Sequence, residues 1–145
     1  MNIICALISN TTFLTVLSGT LVFIIGQIFI EFILKPIRNY KQLQADTAFC
    51  LRMYRDKFIN CVEDENASLA AKEIGAKIIA YAQEKPWFVQ ITKEDLLECC
   101  GQFSVLYYAC QGGLRESYKY EQTKNAEKII VKTMNLFWSA WQDEV

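Results

Sequence analysis

The first thirty residues contain no Asp, Glu, Lys or Arg, and all 31 charged side chains fall from Glu31 onward. Within this stretch Phe13–Leu34 reads FLTVLSGTLVFIIGQIFIEFIL, 22 residues with the single charge Glu31 near the end. At a rise of about 1.5 Å per residue, a helix of this length crosses a hydrocarbon core of about 30 Å. In lipid, helix is also the state that satisfies such a segment's own backbone groups. A cleaved signal peptide would show a basic start, a shorter apolar run and a small-residue cleavage site. Here no Lys or Arg precedes the run, which ends in EFILKPIRNYK, so a retained anchor is the reading adopted. The alternative is the core helix of a soluble protein.

Flanking charge sets an orientation. Lys35, Arg38 and Lys41 follow the run, and basic residues stay on the cytoplasmic side. The C-terminal domain is therefore expected in the cytoplasm, with Cys5 and Asn10 outside. Pro36 directly after the run predicts a kink or break. The organisation expected is a tail and transmembrane anchor over 1–36 and a cytoplasmic helical domain over 37–145. The three basic residues are candidate contacts for lipid headgroups. With Arg52, Arg55 and Lys57 they form a basic strip whose simplest partner is anionic lipid.

Two sets of residues inside the run invite a role. Thr12, Thr15, Gly19 and Gly26 follow a small-residue spacing along one side, which lets helix backbones approach in lipid. They are candidate self-association positions. Gln27 and Glu31, four apart, are candidate pore-lining residues if copies assemble in a ring. The plainer alternative seats Glu31 at the headgroup level, paired with Lys35 at i+4.

Beyond Pro36 the hydrophobic period is helical throughout. Tyr40, Leu43, Thr47, Leu51, Tyr54, Phe58 and Val62 outline a helix over 37–62. The acidic stretch Glu63–Asn66 reads as a turn. A second helix is predicted over Ser68–Glu84, stopped by Pro86, followed by the apolar connector Trp87, Phe88, Val89 and Ile91. Thr92 is the expected N-cap of a third helix that ends at Gly112-Gly113. A polar stretch from Arg115 to Lys124 leads to a last helix over 125–141, on Ala126, Ile130, Met134, Phe137 and Trp141. Trp138 and Trp141 complete the core or an interface between protomers. No alternating β pattern persists. The fold class expected is all-α, one N-terminal transmembrane helix followed by a cytoplasmic bundle of about four helices.

Composition then narrows the chemistry. A hydrophobic fraction of 52% against 21% charged excludes a disordered chain. A net charge of −1 argues against direct nucleic-acid binding by the chain as a whole. Histidine is absent, which removes Ser/His and Cys/His pairs, imidazole acid–base catalysis and His-ligated metals. Five of the six cysteines fall on the expected cytoplasmic side, where thiols stay reduced, and no C-x-x-C spacing occurs. Neither G-x-x-x-x-G-K-[ST] nor G-x-G-x-x-G is present. Asp64/Glu65 and Glu94/Asp95 are paired carboxylates at turn or helix-start positions, where acids are expected anyway. No catalytic residue, cofactor or metal ligand is assigned.

The order of a membrane helix, the stretch EFILKPIRNYKQLQADTAFCL, the helix AAKEIGAKIIAYAQ, a Pro-Trp connector and LLECCGQFSVLYYACQGG resembles a broad group of small single-span bacterial proteins. Within it, the layout over residues 12–112 is similar to the membrane accessory proteins of type VI-B CRISPR systems, which target RNA. The resemblance implies antiviral defence at the bacterial inner membrane. It further implies cytoplasmic helices that assemble around an axis as a homo-oligomer, and a functional link to an RNA-guided nuclease. Accessory proteins of that kind have been linked to a ribonuclease pattern of Arg, four to six residues, then His. Here Arg115 is followed by ESYKYEQ with no histidine, so ribonuclease activity is not expected. The expectation is a non-enzymatic accessory effector that perturbs or permeabilises the membrane as an oligomer. The alternative is a membrane-tethered adaptor that recruits a cytoplasmic partner without forming a pore.

Overall fold

A computed structural model describes residues 11–112 and 119–136. Among these residues the chain is helical with no strand. Helix α1 covers Thr11–Phe29, a π-helical turn covers Ile30–Leu34, and α2 covers Lys35–Ile59. Helices α3 (Glu65–Glu84), α4 (Lys93–Cys110) and α5 (Lys119–Thr133) follow. The chain divides into two compact units between Arg38 and Asn39.

In the first unit no side chain of α1 is buried. Val22 and Phe23 are 70% and 65% exposed. Its hydroxyls turn back onto their own helix: Thr15 Oγ1 donates to Thr11 O, Ser18 Oγ to Thr15 O and Thr20 Oγ1 to Val16 O, each at 2.9 Å. This local bonding removes the need for outside partners on an otherwise apolar surface. The helix is long and apolar enough to cross a membrane.

Of the kink or break expected at Pro36, the break does not occur, because helix runs without interruption from Thr11 to Ile59. Proline lacks a donor, and its ring crowds the carbonyl four residues back, here that of Phe32. The turn just before it is widened instead, with the Lys35 N–H donating to Ile30 O five residues earlier. A π turn accommodates the misfit without ending the helix.

The described residues of the second unit form a four-helix domain. Leu43, Leu51 and Phe58 of α2 bury against Ala71, Ile74 and Ile78 of α3, Leu96, Phe103 and Leu106 of α4, and Ala126, Ile130 and Met134 around α5. Its ties show the chain doubling back. Tyr40 stacks on Tyr81 with ring centroids 5.5 Å apart, Asp46 pairs with Lys77 at 3.1 Å, and Lys57 with Asp64 at 3.6 Å. Rising numbers on α2 meet falling numbers on α3, so the two are antiparallel. Helix α5 returns along α2 in the same sense, through Arg55–Glu127 at 3.3 Å and Gln44 Nε2 donating to Met134 O at 2.6 Å.

Helix ends are set by local chemistry. Cys61 has φ of 48°, Val62 N–H donates to Lys57 O at 3.0 Å and Cys61 N–H to Phe58 O at 3.3 Å, a left-handed closure that ends α2. Thr92 caps α4 where the sequence places an N-cap. Asp95 N–H donates to Thr92 Oγ1 at 3.0 Å, and Thr92 N–H donates back to Asp95 Oδ2 at 3.2 Å.

Three boundaries of α3 and α5 differ from expectation. Helix α3 starts at Glu65 rather than Ser68, because Asp64 accepts from Ala67 N–H at 2.9 Å and turns the acidic stretch into a cap. Helix α5 starts at Lys119 rather than residue 125. Thr123 in the supposed polar linker is fully buried and packs with Ala126 on one helical face. It also stops at Thr133, since Asn135 adopts φ of 48° and Leu136 N–H bonds Val131 O at 3.0 Å. Asn tolerates this left-handed conformation. Phe137, Trp138 and Trp141 lie outside the described residues.

Candidate functional site

The candidate site of the first unit is α1 with its polar end. Glu31 and Lys35 form an ion pair at 3.0 Å, with side chains 57% and 55% exposed. This joins the candidate pore residue to the candidate headgroup residue within one protomer. Gln27 is exposed, and the described contacts bring it to neither. A Cβ built on Gly19 or Gly26 would meet no atom within 4 Å, so the small-residue side of α1 is open. Thr12 and Thr15 are exposed on the same helix. Arg38 is exposed in this unit, and Lys41 is exposed in the next.

The rest of the basic strip is partly spent inside the four-helix domain. Arg55 reaches inward to Glu127 and Lys57 pairs with Asp64, while Arg52 stays exposed. Arg55 and Lys57 are therefore each paired with an acid of the same domain.

The thiols and carboxylates are held in structural roles. Cys50, Cys99 and Cys110 are buried. Desolvation pushes Cys50 and Cys99 up to about 12 and Cys110 up to about 11. A thiol protonated at neutral pH is a poor nucleophile. Asp64 and Asp95 are held below the usual carboxylate range, the first by the Ala67 N–H it caps and the second by Thr92. Each serves a helix N-terminus.

One ionisable group escaped the sequence reading. Glu127 is 6% exposed on the inner face of α5. Burial raises its carboxyl to about 7, against the opposing pull of Arg55. The available signal was its helical phase: Thr123, Glu127, Ile130 and Met134 recur at intervals of four, three and four. On α2, the Thr47 hydroxyl is fully buried with no hydrogen-bond partner among the described residues.

Two surface grooves flank α3. One, of about 320 Å³, has Gly75 in its lining with Ile79, Cys100, Phe103 and Tyr108. The other, of about 300 Å³, lies between α2 and α3 and is lined by Phe49, Cys50, Ala70, Ile74 and Lys77. The first is largely apolar, whereas the second carries the charged trio Asp46, Glu73 and Lys77, already paired among themselves. No family model matches the chain, and neither does any curated protein or solved structure.

Proposed function

We propose that this chain is a single-pass protein of the bacterial inner membrane, its N-terminus outside and its four-helix domain in the cytoplasm. It works by association, as a non-enzymatic accessory effector in antiviral defence. The observation that carries the anchoring is α1, 19 residues of which none is buried. In water such a surface would forfeit roughly 25 cal/mol for every Å² of apolar area left exposed. Lipid removes that cost. Lys35, Arg38 and Lys41 orient the helix and contact headgroups.

The open side at Gly19 and Gly26 supports self-association, because two backbones can meet there without displacing a side chain. The absence of histidine and the burial of the thiols support a non-enzymatic role. The defence assignment and the link to an RNA-guided nuclease follow from the resemblance of residues 12–112. Arg115 lies outside the described residues, and the sequence has no histidine to complete the ribonuclease pattern.

In the effector reading the oligomer perturbs or permeabilises the membrane, with Gln27 and Glu31 lining its mouth. The Glu31–Lys35 ion pair favours a second reading, the adaptor, because it accounts for Glu31 within the protomer. Alkaline phosphatase fused after Val145 should be inactive in the periplasm, and an active fusion would refute the orientation. Dye uptake and membrane potential in activated cells separate the two readings. A pore requires Glu31→Gln to weaken cation preference and Glu31→Lys to block or invert it. An adaptor requires both variants to behave as the unaltered protein, with no depolarisation.

A further inference from the structure

The connector between α3 and α4 turns a large aromatic side chain away from the domain. Trp87 is 92% exposed. Val89 N–H donates to Pro86 O at 3.3 Å, closing a tight turn with Trp87 and Phe88 at its two central positions. Phe88 is half-buried and meets the indole edge-on, with ring centroids 5.9 Å apart. Behind the turn, Ile91 packs against the core and the Thr92–Asp95 capping box starts α4. The turn is thus pinned from both sides, and it presents Trp87 outward. Leaving an indole in water forgoes the burial of one of the largest apolar surfaces a residue offers.

Its place in the domain is informative. The pairings Asp46–Lys77 and Tyr40–Tyr81 carry α3 back toward the end where the chain enters the domain at Asn39. The turn at the other end, residues 60–64, carries Glu63 and Asp64 and no aromatic residue. Charges around the aromatic turn nearly cancel: Glu84, Lys85, Lys93, Glu94 and Asp95. A neutral indole beside a polar rim fits the boundary between headgroups and acyl chains, where tryptophan concentrates.

We infer that the Pro86–Val89 turn is a second membrane contact, with Trp87 seated in the headgroup–acyl boundary on the domain's side of the bilayer. This rests on the reading of α1 as a membrane anchor. The contact is aromatic rather than electrostatic, so it does not require anionic lipid.

The test uses the full chain reconstituted in phosphatidylcholine vesicles with brominated acyl chains. Flotation with the vesicles reports the anchor, and quenching of tryptophan emission reports the contact. Trp87→Phe should lose most of the quenched component, with unchanged circular dichroism, and high salt should not reduce the quenching of the unaltered chain. A chain keeping Trp87 as its single tryptophan (Trp138→Phe with Trp141→Phe) should be quenched directly. Floated protein with equal quenching before and after Trp87→Phe would overturn the contact. So would a single-Trp87 chain that floats without being quenched, whether aqueous acrylamide reaches the indole or a protein surface shields it. Failure to float would overturn the anchor and the contact together.

Discussion

Glycine lies within helices of both units, and Gly75 of the second has neighbours that Gly19 and Gly26 of the first lack. A Cβ added at Gly75 would meet Cys100 Sγ and Phe103 Cβ at 3.7 Å, whereas one added at Gly19 or Gly26 would meet nothing within 4 Å. Both α1 and α3 carry abundant apolar side chains. Those of α3 divide between a buried stripe of Ala67, Ala71, Ile74, Ile78 and Ala82 and exposed positions such as Leu69 and Ile79, while α1 has no stripe at all. The difference teaches where each helix finds its solvent. In the four-helix domain the chain supplies its own apolar environment. Among the described residues nothing does the same for α1.

The comparison can be broken most strongly in the domain core. Phe103→Ala deletes a fully buried ring, and a loss of about 3–5 kcal/mol is expected. Thermal unfolding followed by circular dichroism in detergent should show it, while carbonate extraction should leave membrane retention unchanged. Val22→Arg makes the reciprocal perturbation. It places a charge in the middle of α1, at a cost of about 2.5–3.5 kcal/mol for a spanning helix. Retention in the membrane fraction should fall, with the domain's melting temperature unaffected. A lowered melting temperature with intact retention would reverse the assignment of the two helices.

A third expectation concerns pH. Glu127 rises from an ordinary value of 4.5 to about 7 because burial disfavours its charged form. The folded domain therefore holds this proton more tightly than the unfolded chain. Its stabilising contribution is complete below about 4.5 and is lost as pH climbs through about 7. Solvent near Arg55 screens the pair, so the loss is on the order of 1–2 kcal/mol. Glu127→Gln should flatten this part of the melting temperature's pH profile, and an unchanged profile would assign the dependence to another group. The smallest effect sharpens the glycine contrast. Gly75→Ala should stabilise the domain by up to about 1 kcal/mol, through helix propensity and an ordinary contact. Gly26→Leu should leave melting unchanged and reduce the oligomer's mass in detergent.

Much of the helical layout was legible because its signals are local. An uncharged run longer than a bilayer is thick, the Thr92–Asp95 box and Pro86 after α3 each act within a few residues. The errors came where a local signal has two meanings. Glu63–Asn66 reads as a turn by charge, yet the same acids cap and begin α3. Arg115–Lys124 reads as a polar linker, yet its described part belongs to α5, where Thr123 faces inward. Pro36 reads as a breaker, yet a widened turn upstream absorbs it. In the candidate site the sequence offered both partners of the Glu31–Lys35 pair. It could not show that Arg55 and Lys57 pair within the domain, because their acids lie beyond α2, Glu127 on α5 and Asp64 in the turn before α3.

Asp64 has a consequence for how the domain opens. Its N–H donates to Cys110 O at 3.1 Å, its carboxylate caps α3, and it faces Lys57 of α2. Three helices thus converge on a residue that belongs to none of them. Amides in connecting turns ordinarily exchange with solvent by fraying. The Asp64 amide can exchange when the last turn of α4 parts from the α2–α3 junction, a subglobal event. In deuterated solvent it should persist as long as core amides of α4, which makes one turn proton a reporter of cooperative opening.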